Sequence, residues 1–139
     1  MPTSYLTRVV EFAATHHIRR TDWSQARNAL EFGKAAEDHE HRYRCSVTVK
    51  GPLLPDAGGV MSLGTLDALI AEEVTVRFDG RSMHEAAPQF ADGRWLATGE
   101  ALAVFVWDRL AGRLPSGVTL HAVRVQESDH LYSEYFGEP

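Results

Sequence analysis

The sequence is poor in cysteine and in long apolar runs, and each shortage excludes a class of protein. Cys45 is the single cysteine among 139 residues, which rules out an internal disulfide framework and fits a reducing compartment. No apolar run approaches the ~20 residues that a membrane-spanning helix needs. The N-terminus lacks the basic-then-apolar pattern of a secretion signal. We therefore expect a cytoplasmic protein without a membrane partner.

Clusters of basic residues are missing as well. The chain carries 14 basic and 19 acidic side chains, a formal charge of −5, and its Lys and Arg residues form no patch. This distribution predicts no nucleic-acid partner. A length of 139 residues suggests one domain, residues 1–139, with a sizeable core.

The pattern of apolar residues predicts strands at both ends of the chain and helices between them. Segments rich in β-branched and aromatic residues predict the strands, and apolar residues at helical spacing predict the helices. The predicted strands are 5–14, 41–50, 118–126 and 131–136, and the predicted helices are 62–73 and 98–111, with a short helical stretch in 23–32. We expect a turn at 51–59 and an irregular segment at 77–93, where Gly and Pro recur.

Two histidines, His39 and His41, begin the second strand and form the most informative feature of the sequence. Side chains alternate along a strand, so both point to the same face, with Cα atoms roughly 6.5 Å apart. His16 ends the first strand and completes three nitrogens if the two strands pair. Three protein nitrogens with one open position are typical of a catalytic zinc site, so we expect Zn²⁺ as a cofactor.

The order of short motifs along the chain resembles one enzyme family. The motifs are F-A-A-T-H at 12–16, H-E-H-R-Y at 39–43, G-G-V-M-S-L at 58–63, F-D at 78–79, T-G-E-A-L-A at 98–103 and V-Q-E-S at 125–128. They resemble the 6-pyruvoyl-tetrahydropterin synthase and 6-carboxy-tetrahydropterin synthase family over nearly the whole chain.

The resemblance implies an α+β tunnelling fold: a four-stranded antiparallel sheet with two helices on one face, which oligomerises into a β-barrel. It implies a zinc held by His16, His39 and His41, and a homo-oligomer, a tetramer or hexamer. It also implies that Glu127 anchors a pterin ring through the ring's N–H groups. For Thr98 and Glu100 two interpretations stay open, namely contact with the substrate or helix capping and a favourable first-turn charge.

The chain departs from the family pattern at the residues that transfer protons. The usual cysteine before the histidine pair is missing from 33–38, and the usual Asp-His pair becomes Asp79 followed by Gly80. Relatives that lack the cysteine use a glutamate in that region, which makes Glu37 the first candidate for a replacement base. His84 could take the vacated histidine position, and His130 could line the pocket. The candidate catalytic residues are thus Glu37, Asp79, His84 and His130.

Three functions remain open. The first is a zinc-dependent lyase or isomerase that acts on a pterin-like or related heterocyclic substrate with altered chemistry. The second is a catalytically inactive protein that binds a pterin or another heterocycle. The third is a structural paralogue whose role is assembly.

Overall fold

A computed structural model describes residues 1–56 and 59–139 of the chain. Among these residues, five strands form one sheet in the order β3-β1-β2-β4-β5. The strands are β1 (Thr3–His16), β2 (His39–Pro52), β3 (Arg81–Ser82), β4 (Thr119–Ser128) and β5 (Leu131–Tyr135). The predicted turn and the G-G motif include Ala57 and Gly58, which lie outside the described residues.

The predicted four-stranded antiparallel sheet is wrong in strand count and in being purely antiparallel. β1, β2, β4 and β5 pair antiparallel, but the two-residue β3 pairs parallel to β1, so the described sheet is mixed. Both backbone groups of Ala13 are satisfied at this edge: its N–H donates to Asp79 Oδ1 at 2.9 Å, and its carbonyl accepts from Gly80 at 2.7 Å. Gly80 has a φ of +73°, which glycine adopts readily. A two-residue strand has no side-chain period, and the sequence therefore gives no signal for it.

The two main predicted helices are confirmed, together with the short helix before β2. The described helices are α1 (Gln25–Phe32), α2 (Leu63–Ile70), α3 (Val76–Phe78), α4 (Met83–Ala86), α5 (Pro88–Ala91) and α6 (Gly99–Leu110). Ser62 and Thr98 cap α2 and α6, since their side chains accept from the backbone N–H groups of Thr65 and Ala101. The prediction of an irregular segment at 77–93 is wrong where α4 and α5 form. Each of these helices has four residues, too few to show helical periodicity.

One face of the sheet carries the core. Side chains alternate along β2, so Tyr43, Cys45, Val47 and Val49 are buried while the residues between them are more exposed. α6 packs against β4 and β5 above this face, and α2 contacts β1. Among the described residues, no helix combines the length and the apolar character that a membrane crossing requires.

A buried glutamate joins the two main helical segments. Glu73 lies in a π-helical turn, Ala71–Thr75, that links α2 to α3. Its side chain is 5 % exposed and receives hydrogen bonds from Arg109 on α6 and from Arg113, while Arg77 lies 3.7 Å away. These cations, Arg109 foremost through its hydrogen bond, lower the pKa of Glu73.

We expect Glu73→Gln to lower the free energy of unfolding by about 1–3 kcal/mol at pH 7, because Arg109 and Arg113 lose the charged acceptor that the buried carboxylate provides. Since the folded-state pKa is lowered, the stabilisation is present above pH ~4.3 and is lost as the pH falls through the folded-state pKa. Urea denaturation of both proteins between pH 3 and pH 7 measures this difference. Glu72→Gln is the matched control, because Glu72 is 63 % exposed and its ion pair is with Arg113. Equal losses in both variants would contradict the role of Glu73.

Candidate metal centre

The three predicted histidines meet where β1 ends and β2 begins. His16 lies directly opposite His39 in the β1–β2 register, and His41 lies two residues further along β2 on the same face. The ring centroid of His16 is 4.4 Å from that of His39 and 5.1 Å from that of His41, and the two rings on β2 are 4.8 Å apart. One nitrogen of each ring lies within 4.8 Å of the others. These three residues, here called the histidine trio, can share one ion.

Backbone carbonyls orient two rings of the histidine trio. His16 Nδ1 donates to the carbonyl of Ala97 at 2.7 Å, and His39 Nδ1 donates to the carbonyl of Glu37 at 2.7 Å. A neutral imidazole has one N–H, so this tautomer leaves the Nε2 lone pair of each ring free to accept a ligand. Metal-binding histidines commonly have such a second hydrogen bond, which fixes the orientation of the ring.

The protonation of the trio suits a metal ion. His16 is buried, and burial lowers its pKa to about 4; burial and the neighbouring His39 also lower the pKa of His41. Both rings are therefore neutral at pH 7. His16 Nε2 is buried with no hydrogen-bond partner among the described residues, an arrangement that costs free energy unless a ligand is bound. Neutral nitrogen donors facing one another fit Zn²⁺.

Two carboxylates, Glu127 and Glu100, lie near the histidine trio at the N-terminus of α6. Glu127 on β4 is half-buried, and burial followed by the charge of Glu100 raises its pKa, while His39 opposes the shift. Gly99 makes room for it, since a Cβ there would lie 3.0 Å from Ser133 Oγ and 3.4 Å from Glu127 Cδ. The predicted anchor thus lies beside the two other predicted binding residues, Thr98 and Glu100.

Tyr43 adjoins the histidine trio, and the charge of Glu127 acts on its hydroxyl. Its ring centroid is 5.6 Å from that of His41, and its hydroxyl is buried without a partner among the described residues. Burial, with a further contribution from the negative charge of Glu127, raises the pKa of Tyr43, so the hydroxyl keeps its proton. An unpaired O–H beside the histidine trio is available to donate to a ligand oxygen.

The four predicted catalytic residues lie in different surroundings. Glu37 is exposed and contacts the trio through its backbone carbonyl. Asp79 Oδ1 accepts a hydrogen bond from the backbone N–H of Ala13. The His84 ring stacks on His17 with centroids 3.8 Å apart, and its nitrogens face the carbonyls of Phe90 and His17. His130 is exposed in the turn between β4 and β5.

Several groups at the site were missed by the sequence interpretation. The carbonyl of Ala97 has no sequence signal, because any residue has a carbonyl. Tyr43 and Gly99 stand inside the quoted motifs, which were the available signal for them.

Comparisons with known proteins agree with this geometry. Residues 5–138 match the family described as 6-pyruvoyl tetrahydropterin synthase. The chain is 35% identical over 136 residues to 6-pyruvoyl tetrahydrobiopterin synthase of Poecilia reticulata, a match that covers 96% of this chain and 90% of the relative. It is 35% identical over 135 residues to the Homo sapiens enzyme, covering 96% and 91%. The solved structure of Caenorhabditis elegans 6-pyruvoyl tetrahydropterin synthase superposes with a TM-score of 0.88 at 27% identity, covering 99% of this chain and 98% of that one.

Proposed function

The chain belongs to the 6-pyruvoyl tetrahydropterin synthase family, and from this premise we propose that it is a zinc-dependent lyase or isomerase acting on a pterin-like heterocycle. The observation that carries the proposal is the histidine trio, in which one nitrogen of each ring lies within 4.8 Å of the others. A bound zinc would act as a Lewis acid on a substrate hydroxyl or carbonyl. As in the sequence-based expectation, the proposed enzyme is a cytoplasmic homo-oligomer, a tetramer or hexamer.

Glu127 would bind the ring of the substrate. A carboxylate accepts two parallel hydrogen bonds, and a pterin offers adjacent N–H groups that match this geometry. Thr98 and Glu100 would contact the substrate at the same helix terminus, where Gly99 lets the backbone approach the Glu127 carboxylate closely. The Tyr43 hydroxyl would donate to the substrate side chain between ring and metal centre.

The standard proton-transfer pair of the family is missing, so we propose a reaction that differs from that of the synthase. Gly80 stands where the resemblance expects a histidine, and no cysteine occurs in 33–38. Of the candidate replacements we propose Glu37, because its own carbonyl contacts His39 and ties it to the metal centre. Asp79, His84 and His130 are secondary candidates, and the alternative function is a heterocycle-binding or structural paralogue without turnover.

The proposal is tested by metal analysis of protein purified without added zinc, followed by turnover assays. The substrates are dihydroneopterin triphosphate and non-pterin heterocycles, each assayed before and after removal of metal with a chelator. The enzyme hypothesis predicts bound zinc and turnover that stops on chelation and returns with zinc. Zinc and ligand binding without turnover would favour the binding protein, and neither zinc nor ligand would favour the structural paralogue.

Glu37→Gln should lower kcat by about 10²-fold while leaving ligand affinity in place. The effect lies at the low end of the range for general bases, because Glu37 is exposed and water can replace part of its role. Steady-state kinetics and direct ligand titration measure the two quantities. Glu40→Gln is the control, since Glu40 is exposed on the strand face opposite His39 and His41. Unchanged kcat in Glu37→Gln would refute the assignment.

A further inference from the structure

Ser133 places a hydroxyl group on the face of the sheet that carries the core. It lies on β5 directly opposite Val125 of β4, and residues that pair across two strands share a face. Val125 is buried, and Tyr135, the next residue of β5 on this face, packs against the core. Ser133 itself is half-buried, and the contacts proposed above for the substrate do not include it.

The Ser133 hydroxyl lies beside the proposed anchor of the ring. A Cβ at Gly99 would lie 3.0 Å from Ser133 Oγ and 3.5 Å from Glu127 Oε2. The hydroxyl and the carboxylate therefore flank one point at the start of α6. A side chain at position 99 would crowd the hydroxyl, whereas glycine lets the backbone of the helix approach both groups.

The hydrogen bond of Ser133 indicates which role its oxygen is free to play. Ser133 Oγ donates to Glu100 Oε1 at 3.4 Å, where solvent has access. A hydroxyl has one proton and two acceptor lone pairs, and an ionised carboxylate accepts without donating. With its proton directed to Glu100, the Ser133 oxygen can still accept a hydrogen bond from a ligand.

The amino group of a pterin has one more N–H than the anchor uses. In the proposed complex, Glu127 accepts one hydrogen bond from the ring N–H and one from the neighbouring amino group. The second amino N–H points away from the carboxylate, and leaving it without a partner against the protein costs free energy. A further acceptor beside the carboxylate satisfies this N–H, and Ser133 Oγ is such an acceptor.

We propose that Ser133 is a specificity-determining residue that accepts a hydrogen bond from the second N–H of the substrate's amino group. It selects heterocycles with a primary amino group next to a ring N–H. A methyl group on the amino nitrogen would replace that N–H and meet the hydroxyl oxygen instead. The inference rests on the proposed function, since it takes the ring to be bound by Glu127.

Titration calorimetry of the full chain with dihydroneopterin, and with its analogue methylated on the amino nitrogen, tests the assignment. The wild-type protein should bind dihydroneopterin at least about fivefold more tightly than the analogue, the effect of one hydrogen bond. Ser133→Ala and Ser133→Val should bring this ratio to about one, since both remove the hydroxyl. Ser133→Thr should keep the wild-type ratio, because threonine has the shape of valine and a hydroxyl group. Ser46→Ala is the matched control, since Ser46 is also half-buried but lies on the opposite face of the sheet.

The outcomes distinguish the role of Ser133 from the proposed function. An unchanged ratio in Ser133→Ala and Ser133→Val, or an equal change in Ser46→Ala, would overturn the role of Ser133 and leave the proposed function in place. Absence of saturable binding of both compounds would overturn both. The expected ratios in a protein without turnover would refute the proposed enzyme and leave the assignment of Ser133 standing.

Discussion

Replacing His41 with alanine is expected to yield a folded protein that no longer retains zinc and that turns over substrate at the background rate. His41 supplies one of three nitrogens that lie within 4.8 Å of one another. Loss of an outer hydrogen bond to a metal ligand already costs ~10–100-fold in metal affinity, and loss of the ligand itself should cost more. Zinc per chain after gel filtration, together with kcat, measures the result.

The choice of His41 keeps the fold intact. His16 is buried, and its removal would leave a cavity in the core, whereas His41 is half-buried. The control is His121→Ala on β4, where the ring packs against Tyr5 at 4.7 Å and takes no part in the histidine trio. Wild-type zinc content in His41→Ala, or zinc loss in His121→Ala, would contradict the account.

Glu127→Gln should reduce kcat/KM by about 10³-fold and at the same time raise the unfolding midpoint at pH 7. The first effect follows because two charge-assisted hydrogen bonds to the ring N–H groups are lost. The NH₂ group of the glutamine side chain then faces a ring N–H, so that a donor opposes a donor. The second follows from the environment of the carboxylate, since burial and Glu100 raise its pKa. A carboxyl group with a raised folded-state pKa stabilises the protein fully below the unfolded-state pKa, and this stabilisation is lost as the pH rises through the folded-state value.

Opposite changes in activity and stability separate a binding role from a structural one. Substitution of a residue that is needed only for the fold would lower activity and stability together. Kinetics and thermal unfolding at pH 5 and pH 7 measure both quantities, and the stability gain should shrink at the lower pH. Glu31→Gln is the control, because Glu31 is an exposed carboxylate on α1, outside the proposed binding site. A lower unfolding midpoint with unchanged kcat/KM in Glu127→Gln would refute the assignment.

The convergence of the three histidines could be predicted because strand geometry places them. The period of two along β2 puts His39 and His41 on one face, and pairing of β1 with β2 brings His16 opposite His39. The cap at Thr98 was visible for the same local reason: Thr98 precedes apolar residues at helical spacing.

Features that depend on distant backbone could not be predicted. The carbonyl of Ala97 reaches His16 across 81 positions of sequence, and the backbone N–H of Ala13 at the sheet edge needs a partner that Asp79 supplies from a distant segment. Asp79 fills that structural need, which the family resemblance alone did not indicate. Glu73 looked like an ordinary helix-end acid, and its burial among arginines follows from the packing of α6 against the π-helical turn.

Anomalous diffraction at the zinc edge from crystals of the zinc-loaded protein tests the central claim most directly. The account predicts one ion bound by nitrogens of His16, His39 and His41 at about 2.0–2.1 Å, with a remaining position open to a non-protein ligand. An ion bound elsewhere, a fourth protein ligand that closes the site, or no ion among the three rings would contradict it.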